Sequence, residues 1–223
     1  MGLAAVIAHR GASAAERENT LAAFARAVAM GADGIELDVR RTADGQPAIH
    51  HDADLPDGRP ISAITAAELP DHVPLLDAAL DACGDLVVNI EIKEPPELAE
   101  VVVAEVRNRG MAGRVLVSCF DLATVDRVRS LAPEVPTAYL TYHEVDAVRA
   151  AETIRSCVER GHAALHPWER GVDLALVERA HEAGIAVNTW TVDDPGRIVQ
   201  LAGWGVDGIV TNVPDVALRA LGR

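Results

Sequence analysis

The side chains best suited to chemistry fall in four short stretches: His9-Arg10-Gly11, Gly34-Ile-Glu36-Leu-Asp38-Val-Arg40, His50-His51-Asp52 and Asn89-Ile-Glu91-Ile-Lys93. In the second, Ile35, Leu37 and Val39 alternate with Glu36, Asp38 and Arg40, the period of a β-strand. That period sets both carboxylates on one face and the aliphatic side chains on the other. Two carboxylates this close repel each other and lose hydration on burial, so a buried face of this kind needs a cation or strong donors against it. An edge strand with a solvated acidic face is the competing reading, and this stretch alone does not separate the two. The fourth stretch does. Asn89, Glu91 and Lys93 share a face against Val88, Ile90 and Ile92, which adds a third carboxylate and a cation. Three carboxylates from adjacent strands supply oxygen ligands to a hard divalent cation, Mg²⁺ or Ca²⁺. The chain has no Cys pair or spaced His pair of the kind that binds structural zinc.

The elements that must position these residues alternate regularly. Leu3 to Ala8 is a short apolar run that reads as a strand buried on both faces, ending at His9. Glu18-Asn19-Thr20 opens a helix with Leu21, Phe24, Ala25 and Val28 as its apolar positions and Gly31 as its stop. After the acidic strand come an Asp44-Gly45 turn and Pro47 to His51. Residues 53–74 are the least regular part, with four Pro, one Gly and a candidate capping box at Thr65 and Glu68. A helix around Leu75 to Ala82 follows. Apolar runs at 86–92, 115–118, 136–140, 163–165, 185–189 and 207–211 then alternate with amphipathic stretches. Gly31-Ala-Asp-Gly-Ile35 and Gly205-Val-Asp-Gly-Ile209 enter the second and eighth strands in nearly the same words. Eight strand-helix units in one chain predict an α/β fold, a single-domain (β/α)₈ barrel over 1–223, with 53–74 as a short irregular insertion. An open doubly wound sheet would carry a glycine-rich turn after its first strand, and His9-Arg10-Gly11 is not one. In a barrel the C-terminal strand ends form the active face, where every candidate falls.

Composition narrows the partners. Hydrophobic residues make up 49% and aromatics 3%, a globular composition with an aliphatic core. Lys and Arg number 20 against 34 Asp and Glu, a net charge of -14 that repels nucleic acid and anionic membrane surfaces. Cys83, Cys119 and Cys157 are odd in number and widely spaced, which suits a reducing compartment. The first apolar run is too short for a signal h-region and no basic residue precedes it, so a cytoplasmic location without stable membrane association is expected.

The motifs run in a familiar order. His9-Arg10-Gly11, Glu18-Asn19-Thr20, Glu36-Leu-Asp38-Val39, Asp44-Gly45, His51-Asp52, Asn89-Ile-Glu91-Ile-Lys93, Ser118-Cys-Phe120, Asn188-Thr-Trp190-Thr191 and Gly205-Val-Asp-Gly-Ile-Val-Thr211 together resemble the glycerophosphodiester phosphodiesterase family. The resemblance implies a metal-dependent barrel enzyme that hydrolyses glycerophosphodiesters to glycerol 3-phosphate and an alcohol. By matching position, it implies Glu36, Asp38 and Glu91 as metal ligands and His9 and His51 as the acid/base pair. Arg10 and Lys93 would hold the phosphate, and Asn19 would help to shape the site. Apart from the resemblance, Trp190, after the seventh strand, reads either as an apolar wall for the glycerol moiety or as plain core filler. Two departures stand out: Arg17 replaces the usual Pro, which loosens that loop, and the segment after Asp52 is short, which leaves a reduced lid.

Blander readings cover the remaining candidates. His50 has the opposite parity to His51 and is expected to point away. His72, His143, His162 and His181 read as structural or surface residues, and His166 as outside catalysis. Cys119, Trp168 and Trp204 read as packing. The rival functions are a lysophospholipase D-like or other phosphodiesterase on the same barrel, a lyase with Lys93 as Schiff-base nucleophile, and an inactive metal- and phosphate-binding module.

Overall fold

Ala5–His9 forms β1, and α1 (Leu21–Met30) returns the chain to β2 (Gly34–Arg41), which lies parallel to β1. The end of β2 is paired by a returning segment, β3 (Pro47–Ile49), antiparallel with Val39 opposite Ile49. The chain then alternates through α2 (Leu76–Ala82), β4 (Val87–Ile92), α3 (Leu98–Asn108), β5 (Val115–Cys119) and α4 (Leu122–Leu131). It continues with β6 (Thr137–Thr141), α5 (Ala147–Arg160), β7 (Ala164–Pro167) and α6 (Leu174–Glu182). It ends with β8 (Ala186–Thr189), α7 (Pro195–Trp204), β9 (Gly208–Thr211) and α8 (Pro214–Ala220). This computed structural model describes residues 4–93, 97–142 and 147–223. Leu3, the start of the first apolar run, and His143 lie outside the described residues.

Parallel pairing runs around the ring, and the β1–β9 and β1–β2 pairings close it. The fold is the expected single-domain (β/α)₈ barrel. The described residues also include β3, a ninth strand that the apolar runs do not announce. It forms because β2 is eight residues long and its last three residues are covered by the hairpin return. The following segment, 53–74, contains only two 3₁₀ turns, Ile61–Ala63 and Ala66–Glu68. It still has a small core of its own, with Leu55, Ile61, Ile64 and Val73 packed on Ala48. At the second turn the Glu68 carboxylate accepts from Thr65 N at 2.8 Å and Thr65 Oγ1 at 2.7 Å, as the capping pattern predicts. No helix among the described residues is long and apolar enough to cross a membrane.

The strands bury both faces, each for a different reason. Ile35, Leu37, Val39, Val88, Ile90 and Ile92 pack outward in one cluster with Phe24, Leu80, Leu98 and Val102 from the helices. Their alternate residues line the barrel interior, which is where Glu36, Asp38 and Glu91 are buried. Helix α1 starts where expected, with Thr20 Oγ1 accepting from Ala23 N, and stops at Gly31 in the left-handed conformation (φ 80°). Its buried stripe differs from the predicted one. Ala23, Phe24 and Ala27 face the core, while Leu21 and Val28 are exposed. The helix is so uniformly apolar that periodicity has no contrast to work on, and close packing against the strands selects the small Ala side chains.

The sequence echo has a physical basis. Asp33 Oδ2 accepts from Val6 N on β1, and Asp207 Oδ2 accepts from Val187 N on β8, both at 2.7 Å. In each unit the Asp before a strand satisfies a backbone N–H of the preceding strand, so the two Gly-x-Asp-Gly segments do the same work. The loop after β1 is equally determined. Gly11 has φ +82°, and a Cβ there would lie 2.6 Å from the Ala23 carbonyl carbon. Gly11→Ala therefore combines left-handed backbone strain with a backbone clash. It is expected to cost about 2–4 kcal/mol in denaturant unfolding.

Candidate active site

Parallel register brings three of the four stretches together, and the antiparallel return of β3 delivers the fourth, with His50 N donating to Asp38 O at 3.0 Å. His9 pairs with Glu36, Glu36 with Asn89, Asp38 with Glu91, and Glu91 with Ser118. One carboxylate oxygen each from Glu36, Asp38 and Glu91 lies within 4.8 Å of the others, and all three residues are buried. Burial and mutual repulsion act on them unequally. Burial, then Asp38 and Glu91, raise the Glu36 pKa well above its ordinary value. Burial, then Asp38, push Glu91 up to about 7. Burial opposes ionisation of Asp38 too, but Lys93 and Arg10 outweigh it and hold its pKa below the usual carboxylate range.

Two cations bear on this group. Lys93 Nζ lies 3.0 Å from Asp38 Oδ1 and pairs closely with Glu91 Oε1. Arg10 Nε lies 3.2 Å from Asp38 Oδ2, and its Nη1 donates to both carboxylate oxygens of Glu18 at 2.9 Å. The Arg10 backbone N–H also donates to Glu36 Oε2 at 2.9 Å. Asn19 clasps Asp38 from two sides: its Nδ2 donates to Oδ2 at 2.7 Å, and its Oδ1 accepts from Asp38 N at 3.3 Å. Arg10 and Asn19 are the non-glycine residues with positive φ, 55° and 56°, among those described. Strained backbone thus coincides with the candidate site. Several buried oxygens lack a hydrogen-bond partner; Asp38 Oδ1 and Glu91 Oε1 at least lie against Lys93, whereas Glu36 Oε1 and Asn89 Oδ1, on paired residues of β2 and β4, do not. A hard oxygen set with an orphaned member suits a divalent cation.

His9 and His51 arrive from different directions. His9 Nε2 is 3.9 Å from Glu36 Oε2, and its Nδ1 contacts Asn212 Oδ1 at 2.7 Å. Burial, then Arg10, lower its pKa. His51 Nδ1 contacts Asp52 Oδ1 at 2.8 Å, and burial lowers its pKa against the pull of Asp38. A cavity of about 570 Å³ is lined by Arg17, Asn19, His50, His51 and His72. His50 lines the same cavity, with its Nδ1 2.9 Å from Asp52 O, and β3 ends at Ile49, so strand parity does not extend to either histidine. The Arg17 loop is tied rather than loose, with Thr20 Oγ1 donating to Arg17 O at 2.7 Å.

A second, smaller cavity is lined by His9, Glu36, Asn89, Glu91, His166 and Trp190. Trp190 meets Phe120 and Tyr142 edge-on, with ring centroids 5.5 and 5.0 Å away, and those two rings stack at 4.5 Å. His166 is buried, held neutral by burial with a pKa of about 3, and bonded to Asn188. Cys119 packs as expected, its thiol donating to Ile92 O while burial raises its pKa to about 11. Sequence reasoning missed Glu18, Tyr142, Asp193 and Asn212 as members of this neighbourhood. Glu18 lay inside a quoted motif and Asn212 one residue beyond another, so proximity to the motifs was the available signal.

Glu91 also sets a pH dependence. Its pKa rises from 4.5 to about 7 on folding, so between those values the folded chain holds a proton that the unfolded chain has lost. The group's contribution to stability is therefore present below pH 4.5 and is lost as pH rises to about 7. A bound divalent cation needs the carboxylates ionised, which gives the opposite trend. Thermal melts of chelator-treated protein are expected to show added Mg²⁺ or Ca²⁺ raising Tm at about pH 8 and doing little at about pH 5. Glu91→Gln removes most of that difference.

Comparison with known proteins agrees with the geometry. Residues 9–216 match the model of the glycerophosphoryl diester phosphodiesterase family. A glycerophosphodiester phosphodiesterase of Caldanaerobacter subterraneus subsp. tengcongensis is 30% identical over a gapped alignment 238 positions long, which covers 96% of this chain and 96% of the relative. The solved glycerophosphodiester phosphodiesterase of Thermotoga maritima superposes with a TM-score of 0.86 at 28% identity, covering 100% of both chains. A phosphodiesterase of Oleispira antarctica, solved in complex with the product sn-glycerol-3-phosphate, has a TM-score of 0.86 at 25% identity. That match covers 99% of this chain and 98% of the relative. The model match spans nearly the whole chain, and the buried acidic group sits where barrel enzymes keep their chemistry; this protein belongs to the glycerophosphodiester phosphodiesterase family.

Proposed function

We propose that the protein hydrolyses glycerophosphodiesters to glycerol 3-phosphate and an alcohol, using a divalent cation, Mg²⁺ or Ca²⁺, held by Glu36, Asp38 and Glu91. The observation that carries this reading is the buried acidic group with Arg10 and Lys93 against it and His9 beside it. Residues 1–223 act as one catalytic domain, with 53–74 as a short insertion beside the larger cavity. Glu36, Asp38 and Glu91 would hold the cation, which would supply positive charge to offset that of the phosphoryl group. Arg10 and Lys93 add two positive charges for the same phosphate, and Asn19 keeps Asp38 aimed. His9 and His51 move the protons. One takes a proton from the attacking group, either water or the neighbouring glycerol hydroxyl, and the other returns one to the leaving alkoxide. Trp190 forms an apolar wall beside the site.

One observation favours a second reading. Tyr142 is 62% exposed beside Phe120 and Trp190, an apolar rim that would suit the bulkier alcohols of a lysophospholipase D-like substrate. The lyase reading loses support. Burial alone would lower the Lys93 pKa, but Asp38 and Glu91 outweigh it and raise it, which keeps the amine protonated and non-nucleophilic. The inactive-module reading has nothing to recommend it while both histidines are present. Three free, buried thiols and a net charge of -14 fit a reducing, cytoplasmic setting without nucleic-acid partners.

The test is release of glycerol 3-phosphate from glycerophosphocholine by chelator-treated protein, with Mg²⁺ or Ca²⁺ added back. Activity should return only with metal. His9→Ala and His51→Ala should each lower kcat by about 10²–10⁴-fold, and Glu36→Ala should abolish the metal response. Faster turnover of lysophosphatidylcholine would move the substrate to the second reading. Wild-type protein that binds metal yet leaves every diester intact would overturn both.

A further inference from the structure

We propose that Asp193 is a positioning residue that sets the tautomer of His9 through the side-chain amide of Asn212. The inference rests on the proton-transfer role proposed above for His9. Asn212 Nδ2 donates to Asp193 Oδ2 at 2.7 Å, and Asn212 Oδ1 lies 2.7 Å from His9 Nδ1. A carboxylate only accepts hydrogen bonds, so the nitrogen of the Asn212 amide must face Asp193 and its oxygen must face His9. An amide oxygen also only accepts, so neutral His9 carries its proton on Nδ1 and leaves Nε2 bare. The bare nitrogen is the one on the Glu36 side, and at 3.9 Å it is too far from Glu36 Oε2 for a hydrogen bond to compete.

The rest of the local geometry keeps this arrangement from inverting. Asp193 Oδ1 accepts from Asn212 N at 2.8 Å and from Thr211 Oγ1 at 2.9 Å, so the carboxylate is fixed by two further donors. Ser13 Oγ donates to Asn212 Oδ1 at 2.9 Å, but a hydroxyl would accept from an amide nitrogen as readily, so the direction is set by the Asp193 carboxylate. An isolated amide could turn over with almost no change of shape. The carboxylate on its far side gives it a direction, and the direction passes to the imidazole across β9 and β1.

Asp193→Asn tests this without removing a side chain. The new amide oxygen would keep the bonds from Asn212 N and Thr211 Oγ1, and its NH₂ would then meet the NH₂ of Asn212. Asn212 must turn over, which points its nitrogen at His9 and drives the imidazole proton to Nε2. Exchanging the two residues (Asp193→Asn with Asn212→Asp) restores an acceptor facing His9 and a donor facing that acceptor. Asp193→Asn is expected to lower kcat at least about 10-fold with KM changed less than about two-fold, and the exchange to recover most of the loss.

The spectroscopic arm needs no substrate. In ¹⁵N-histidine-labelled full-length protein at about pH 8, where imidazole is neutral, the His9 signals are identified by their loss in His9→Ala. They should report an Nδ1–H tautomer in the wild type and in the exchanged variant, and Nε2–H in Asp193→Asn. An Nε2–H wild type, or Asp193→Asn that retains Nδ1–H, overturns the inference. So does a kcat loss that the exchange fails to restore, since a merely structural defect would behave that way. A chain inert toward every diester would overturn the proposed function instead, and the spectra alone would then decide the tautomer.

Discussion

Three carboxylates buried in one barrel are the constraint on which the site depends. Each of Glu36, Asp38 and Glu91 would be costly in isolation, and together they repel. The chain offsets that cost by converging Lys93 and Arg10 on Asp38, whose pKa they hold low, while burial raises those of Glu36 and Glu91. The unpartnered Glu36 oxygen marks what the protein groups alone leave unfinished. A site so composed offers oxygen ligands to a hard cation and positive groups to an anion beside it, which is what the charge of a phosphodiester requires.

The scaffold answers that demand through backbone geometry as much as through side chains. Arg10 is held with a positive φ that an arginine does not favour, and that conformation lets its amide donate to Glu36 while its guanidinium reaches Asp38. Asn19, in the same region of backbone space, closes on Asp38 with both ends of its amide. Gly11 makes the intervening loop possible, since its Cα lies against the backbone of α1. Strain is thus concentrated within a dozen residues and held in place by the packing of β1, β2 and α1 around it.

Charge and apolar surface are distributed unequally around the barrel mouth. The Asn19–His51 side opens into a cavity that mixes charged and imidazole groups with Ile49, Leu55, Pro56 and Val73, while aromatic rings gather where Phe120, Tyr142 and Trp190 meet. Three of the chain's seven aromatic residues assemble there, which in so aromatic-poor a chain makes plain core filling a weak explanation for Trp190.

Much of this was legible in the sequence because it depends on local period. Alternation identified β2 and β4 and assigned their carboxylates to one face, repetition gave eight strand-helix units, and Thr20 and Gly31 marked the ends of α1 where its caps are found. The motif order supplied the family. What the sequence could not determine is whatever depends on atoms brought together from distant positions. The buried stripe of α1 and the hairpin strand β3 follow from packing and from where the chain turns back, and periodicity is silent on both. The contact of His9 with Asn212 joins residues 203 positions apart, and its meaning comes from the directionality of hydrogen bonds among three side chains. Residue types and spacing determined which chemistry was possible. Only closure of the barrel, which puts β9 beside β1, decided which groups touch and which nitrogen of His9 is left bare.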